Sequence, residues 1–470
     1  MPTWAVLAVC CAAQFMVVLD VSIVNVALPK MRADLDLSTA GQQWVINAYT
    51  LTFAGFLLLG GRAADLFGRR RVFMIGLAVF TVFSLIGGLA QNGGELIAAR
   101  AIQGIGGAIL APATLSLITT NFPEPGARRR ALGAWSATAA SGAAAGVLFG
   151  GILTDLLDWR WVLFVNVPIG AVLLAAAAVS LVESRAESRS QLDIAGAITV
   201  TSGLALLVYG IVSTDTRSWG SAATILTLLG AAVLLTAFAV IESRIAARPL
   251  VPLSVFRRRS IAASNGIAVM IGAALFGMFF FLSLYLQQVN DYGPLKAGFA
   301  FLPAALSTLT ASLLGTRLVA RIGVRRQLLL GPTLAVIGLA WMSQLSAGDG
   351  YFAHVFGPLV LTGLGMGLSF VPMTIAATAD VPVHQAGLAS GLINTTRQMG
   401  GAIGLAVMAT VAAGASSAAD GYDRAFALSA AAMVVAVALA LVLPGKPKPE
   451  RHITRGEEIA EPIVVLESSS

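Results

Sequence analysis

Apolar residues in this chain come in long unbroken runs. They show neither the strict alternation of a half-buried strand nor the one-sided stripe of a soluble helix. Runs near the ~20 residues that a helix needs to span a bilayer fall at 4–28, 41–61, 72–91, 95–120, 131–156, 161–182, 192–212, 221–242, 260–289, 296–317, 326–346, 353–378, 387–414 and 423–443. That is fourteen spans, and the short connections between most of them make neighbours antiparallel. The pattern predicts an all-α membrane protein. After Gly445 the chain reads KPKPERHITRGEEIAEPIVVLESSS, a charged, Pro-containing tail expected to be disordered.

Composition agrees with the pattern. Of 470 residues, 57% are hydrophobic and only 11% charged, against about 25% charged in soluble domains. Mean hydropathy is +0.84. The first run has no basic n-region and no A-x-A site after it, so it is read as an uncleaved membrane helix. Cys10 and Cys11 are adjacent inside that run, and the three histidines are scattered. Neither arrangement suits a disulfide framework or a metal site, and no cofactor is expected. The pI near 9.8 reflects basic residues dispersed between spans, not a nucleic-acid face. With the N-terminus in the cytoplasm, 22 of the 30 Lys and Arg fall on the cytoplasmic side and 6 outside. This positive-inside bias, with an even number of spans, puts both termini in the cytoplasm. Arginine outnumbers lysine 26 to 4, which points to a GC-rich genome; the expected location is the bacterial inner membrane.

Three charges are expected deep inside spans: Asp20, Arg100 and Arg397. A carboxylate at membrane depth costs on the order of 2.5 kcal/mol or more and is functional by default. Burial favours its neutral form and a nearby cation its charged form, so an acid balanced between the two can load and release a proton. A purely structural, hydrogen-bonded Asp20 is the plainer alternative. Arg100 is expected on the same outer half of the membrane, about a turn into the fourth span. Arg397 suits either an anionic substrate group, a gate, or backbone carbonyls in a Gly-rich contact. Asn25, Gln43, Asn47, Tyr49, Gln103, Asn166 and Asn265 are further polar groups in spans. We take Asn25, Tyr49, Gln103, Asn166 and Arg397 as candidates for the wall of a substrate cavity. Because Asp20 is the one deep carboxylate, neutral or singly charged amphipathic substrates are expected to be favoured over dications.

The chain also repeats itself. The loop GRAADLFGRRR (61–71) is echoed by TRLVARIGVRR (316–326), with Gly68 opposite Gly323 and Asp65 opposite Ala320. GIGGAILAP (104–112) is echoed by GLGMGLSFVP (363–372), and Gly142/Gly146 by Gly400/Gly404. Spans 1–6 therefore resemble spans 9–14, and parallel repeats of this kind place a site at their interface near the midplane. The expected organisation is a six-helix bundle over 1–184, two inserted helices over 185–255, a second six-helix bundle over 256–446 and a tail over 447–470. In the loop, Gly61 and Gly68 permit tight geometry. Asp65 can pair with Arg69 or Arg70, or cap a helix start, and so latch one conformation. Gly142, Gly146, Gly150 and Gly151 are expected to let helices approach closely.

These residues resemble the major facilitator superfamily, and within it the fourteen-helix drug:proton antiporters. LDVSIVNVALP (19–29) is similar to that group's first-helix signature. GRAADLFGRRR matches the superfamily loop, LIAARAIQGIGGA (96–108) the fourth-helix motif, and WRWVLFVNVPIG (159–170) the start of helix six. One departure is GAAAGVLFGGIL (142–153), with Val147 where proline is common. The resemblance implies a major facilitator fold, alternating access and proton-coupled export of drugs or antibiotics. It also implies a proton-coupling role for Asp20 and Arg100, by a monomer whose partners are protons, lipid and a small amphipathic substrate. An enzyme is not expected, and no Walker signature is present. A proton-coupled nutrient symporter of the same fold is the nearer rival. A membrane-embedded enzyme or receptor is the remoter one, since the chain lacks a sizeable soluble segment.

Overall fold

The computed structural model describes residues 3–184, 193–215, 217–246, 249–251, 253–346, 350–378 and 386–444. The tail over 447–470 and the basic pair Arg185 and Arg189 lie outside the described residues. Fourteen helical rods follow one another: α1 Thr3–Asp34, α2 Thr39–Phe67, α3 Arg69–Gly88, α4 Gly93–Asn121, α5 Pro125–Leu156, α6 Trp161–Ser180, α7 Ile194–Val212, α8 Ala222–Ile245, α9 Arg259–Val289, α10 Pro294–Ile322, α11 Val324–Met342, α12 Tyr351–Thr378, α13 Ala386–Ala413 and α14 Ala418–Val442. Among the described residues eleven of them are long and apolar enough to cross a membrane. Of the remainder, α5 offers the shorter apolar stretch Ser141–Leu156, and α11 opens on Arg325 and Arg326. Backbone groups in lipid must be satisfied internally, which is why an apolar chain of this kind folds as rods. The break in α10 at Phe301 falls just before Pro303, whose ring nitrogen cannot donate to the preceding turn.

Helix α1 runs six residues further than the apolar run suggests, through Pro29 to Asp34. Trp159 Nε1 and Arg160 Nη1 donate to the Asp34 carboxylate at 3.0 and 2.7 Å and pin that end to the start of α6. Asp20 thus sits about 21 Å from its helix end at 1.5 Å per residue, rather than the ~12 Å implied by an end at Leu28.

The repeat reappears as packing. In the first six helices α1 lies on α5, α2 and α3 on α4, and α3 on α6. In the last six α9 lies on α13, α10 and α11 on α12, and α11 on α14. The two sets meet through α2 with α13 and α5 with α10, a pair of contacts that the repeat exchanges. Glycines set the separations. A Cβ on Gly146 would fall 2.7 Å from Leu19 O, and one on Gly150 2.7 Å from Ile23 O, so α5 can approach α1 this closely only without side chains there. Gly142 faces Phe15 O in the same way, whereas Gly151 faces Pro294 O of α10, across the two halves. Val147 is buried, and its carbonyl lies against Gly298.

The halves are joined at the end where α1 finishes. Ser283 Oγ donates to Asn25 O at 2.8 Å and Gln287 Nε2 to Val26 O at 3.1 Å, stitching α9 to α1. The Gly151–Pro294 approach closes the same end. Toward the opposite end α2 still meets α13, where a Cβ on Gly391 would lie 3.0 Å from Leu58 Cδ2. Helix α7, paired with α8, rests on the seam: Val200, Leu204 and Val208 cluster with Leu51 of α2 and Ala402 and Ala406 of α13. Thr410 Oγ1 donates to Ile211 O at 3.1 Å.

Candidate functional site

Asp20 is fully buried, and five helices converge on it. On α4, Arg100 and Gln103 stand one turn apart and so share a face. Arg100 Nη1 donates to Asp20 Oδ2 at 2.6 Å and to Gln103 Oε1 at 2.7 Å. Gln103 Nε2 and Asn166 Nδ2 both donate to Asp20 Oδ1 at 2.9 Å. Asn166 comes from α6, just past its break at Val165, and also donates to Ser84 Oγ of α3 at 3.0 Å. Ser84 in turn donates to Leu163 O at 2.9 Å. From α2, Tyr49 lies flat beneath the guanidinium, 4.3 Å from ring centroid to Cζ. Val45 O accepts from Arg100 Nε at 3.4 Å.

The ion pair is dry, with Asp20 0% and Arg100 2% exposed. Three donors bond the carboxylate, which lowers the cost of taking both charges out of water. Two groups at its edge stay unused: Asn166 Oδ1 and the Tyr49 hydroxyl are buried without a hydrogen-bond partner among the described residues. Tyr49, Gln103 and Asn166, expected on a cavity wall, therefore belong to the shell of Asp20. The Asn25 amide donates to Val21 O of its own helix at 3.0 Å, and the Asn25 carbonyl takes part in the α1–α9 closure. Gln43 Oε1 and both polar atoms of Asn47 are buried and unpartnered on α2. Asn265 Oδ1 accepts from Thr396 Oγ1 at 3.0 Å within the second half.

Arg397 stands apart on α13, half-buried. Its Nη2 donates to Asn394 Oδ1 at 2.7 Å, and its Cζ lies 5.4 Å from the ring centroid of Phe370 on α12. Among the described residues no carboxylate lies within 4.0 Å of it.

The α2–α3 loop is tied down within the first half. Asp65 Oδ1 pairs with Arg69 Nη2 at 3.0 Å, and Arg69 Nε donates to Ser116 Oγ of α4 at 2.6 Å. Gly68 has φ +105°, a conformation that glycine adopts freely. Gly61 packs near Pro112 of α4, which lies 3.5 Å from a Cβ built there. The start of α3 is capped not by Asp65 but by Glu183, beyond α6. Its oxygens accept from the backbone N–H groups of Arg70 and Arg71 at 3.2 and 3.1 Å. Arg70 Nη2 also reaches Ala178 O at 2.8 Å. Sequence reasoning missed Glu183, because a carboxylate 113 residues from its partner leaves no local signal. In the second half Gly323 again has positive φ, +84°, but no side chain fills the corresponding space. A cavity of about 300 Å³ lies there, lined by Ile322, Gly323, Arg325, Arg326 and Leu329.

Comparison with known proteins decides the family. The profile of the Major Facilitator Superfamily matches residues 10–405. The chain belongs to the major facilitator superfamily. Among curated members, the Cephamycin export protein CmcT of Amycolatopsis lactamdurans is 44% identical over 93% of this chain and 92% of its own. The Puromycin resistance protein pur8 of Streptomyces alboniger is 41% identical over 88% and 83%. The Lincomycin resistance protein of Streptomyces lincolnensis is 34% identical over 97% and 93%. A solved structure of the nucleoside transporter NupG, in a mutant form, aligns with TM-score 0.68 over 94% of this chain and 100% of its own. At 11% identity that likeness concerns the fold alone. This major facilitator protein is thus a multi-pass membrane transporter and not an enzyme.

Proposed function

We propose that this protein is a proton-coupled antiporter that exports small amphipathic compounds, antibiotics among them, across a bacterial inner membrane. The observation that carries the reading is the dry Asp20–Arg100 pair, an ionisable couple held deep in the first half. Relatives named for antibiotic export and resistance support the substrate class. The basic asymmetry supports cytoplasmic termini, which makes the end stitched together by α9 and α1 the outer one. Residues 1–184 and 256–446 then rock as two bodies around the seam, with 185–255 inserted beside it and the protein acting as a monomer. Gly61, Asp65, Gly68, Arg69 and Arg70 form the switch at the cytoplasmic face.

Asp20 carries the proton and Arg100 is its counter-charge. Facing outward, the carboxylate meets water and takes up a proton, and the O–H replaces Arg100 as the partner of one oxygen. That O–H needs an acceptor, and the unused Oδ1 of Asn166 lies at the edge of the carboxylate. A neutral carboxyl can be carried through a closed state at far lower desolvation cost than a charged one. Facing inward, the proton leaves to the cytoplasm and Arg100 re-forms the pair seen here, readying the site for the next substrate. Asp20→Asn resembles the protonated form permanently. It is expected to keep exchange down a substrate gradient and to lose uphill, pH-driven uptake into inverted vesicles. Full pH-driven uptake by this variant would remove Asp20 from the mechanism.

A further inference from the structure

The two deep arginines are held in opposite ways. Arg100 spends its donors on a carboxylate, an amide oxygen and a backbone carbonyl, and lies on an aromatic face. Arg397, among the described residues, spends one bond on Asn394, one turn back on its own helix. A guanidinium carries five N–H donors and keeps its charge in any protein setting. An arginine kept for packing alone at this depth would be expected to end on a carboxylate or on backbone carbonyls, as Arg100 does. Facing lipid, it would have no partner at all.

Two further facts fix where the charge points. The backbone of α13 turns its glycine face toward α9, where Gly400 meets Val269 O and Gly404 meets Ala273. The Arg397 side chain instead reaches across to Phe370 of α12, a helix whose tight contacts run to α10 and α11 on its other flank. It is half-buried there. That position lies between α12 and α13, where the guanidinium and the Phe370 ring face each other. Asp20 and Arg100 are paired with each other, whereas among the described residues no carboxylate lies within 4.0 Å of Arg397, so its positive charge is uncompensated there.

We propose that Arg397 is the docking point for an anionic head group, and that the transported compound is an amphipathic monoanion: a carboxylate or sulfonate attached to an aromatic or aliphatic body. The free edge of the guanidinium receives the anion in the two-pronged geometry that suits a planar carboxylate, and Phe370 supports the apolar body beside it. This narrows the expectation of neutral or singly charged substrates: the preference is for negative charge, because Asp20 is already paired with Arg100. The inference rests on the exporter reading above.

The test uses one fluorophore in three charge states: N-dansyl-leucine as the anion, its amide as the neutral form and dansyl-cadaverine as the cation. Binding is read by fluorescence on the purified full-length protein in nanodiscs, and export is read in liposomes. The anion is expected to bind at least about tenfold more tightly than the amide, a difference of about 1.4 kcal/mol. Arg397→Gln is expected to abolish that preference, and its unfolding temperature in the same nanodiscs reports that the variant is folded. Arg397→Lys, which keeps the charge without the fork, is expected to retain part of it. A cation that binds as well as the anion, or an anion preference that survives in Arg397→Gln, overturns the assignment. Equal export of all three probes overturns it too but leaves the exporter reading standing. Failure of the wild-type protein to bind or move any of them overturns both.

Discussion

Among the described residues Asp20 and Arg100 are each other's one charged partner, and that governs what substitution does to them. Removing one member of a buried ion pair strands the other, a loss of about 3–5 kcal/mol, whereas replacing both by neutral groups is often tolerated. Arg100→Ala should therefore unfold at clearly lower temperature than the wild type in detergent. The double variant Asp20→Asn with Arg100→Gln should recover much of the loss, because two amides can bond each other. Neither should pump uphill. Thermal unfolding of the four proteins in a double-mutant cycle checks the coupling, and additive effects would mean that the 2.6 Å contact contributes little. At the same scale, Asn166 and Tyr49 show what sequence alone leaves open. Both are legible as polar groups within spans, but nothing in their spacing tells a cavity wall from the shell of a carboxylate.

Among the elements, the rods themselves were plain in the sequence, because an apolar run near 20 residues has few other uses. Their ends were less so. Pro29 reads as a stop, since its ring opposes a helix turn before it, yet α1 continues to Asp34 because Trp159 and Arg160 hold that extension. The Gly142, Gly146 and Gly150 series was legible as a packing face, but which helix each glycine met was not, and Gly151 serves a different interface. The α2–α3 loop separates two effects. Glu183 caps a helix start with charge, so Glu183→Ala should lower stability by about 1 kcal/mol. The Asp65–Arg69 pair is a partly exposed i,i+4 contact, the kind that contributes about 0.3–0.5 kcal/mol. Asp65→Asn should then leave the unfolding temperature nearly unchanged. If the loop is the switch proposed above, it should still slow turnover several-fold with substrate affinity retained. Stopped-flow transport beside equilibrium binding distinguishes the two, and unchanged turnover would reduce the loop to an anchor.

For the whole molecule, the joined end is the part that must open. A Cβ on Gly151 would stand 2.6 Å from Pro294 O, so this end cannot close as it does here with a side chain at that position. Gly151→Ala should therefore hold the end apart and slow transport in liposomes, whereas Gly133→Ala, with nothing within 4 Å of the added Cβ, should transport as the wild type does. Unchanged transport by Gly151→Ala would show that this end need not close. The fold as a whole was readable as two repeats and an insertion, but the seat of the insertion was not. Helix α7 lies on both α2 and α13, one from each half, while α8 buries only 11% of its apolar window inside the protein. Any motion at the seam must drag this pair sideways and tilt it through the surrounding hydrocarbon. The bilayer thereby becomes a mechanical load on the cycle, adding fractions of a kcal/mol for each ångström of thickness mismatch. Turnover should peak at one acyl-chain length and fall on either side of it while substrate affinity stays flat, so that membrane thickness acts on this transporter as a brake.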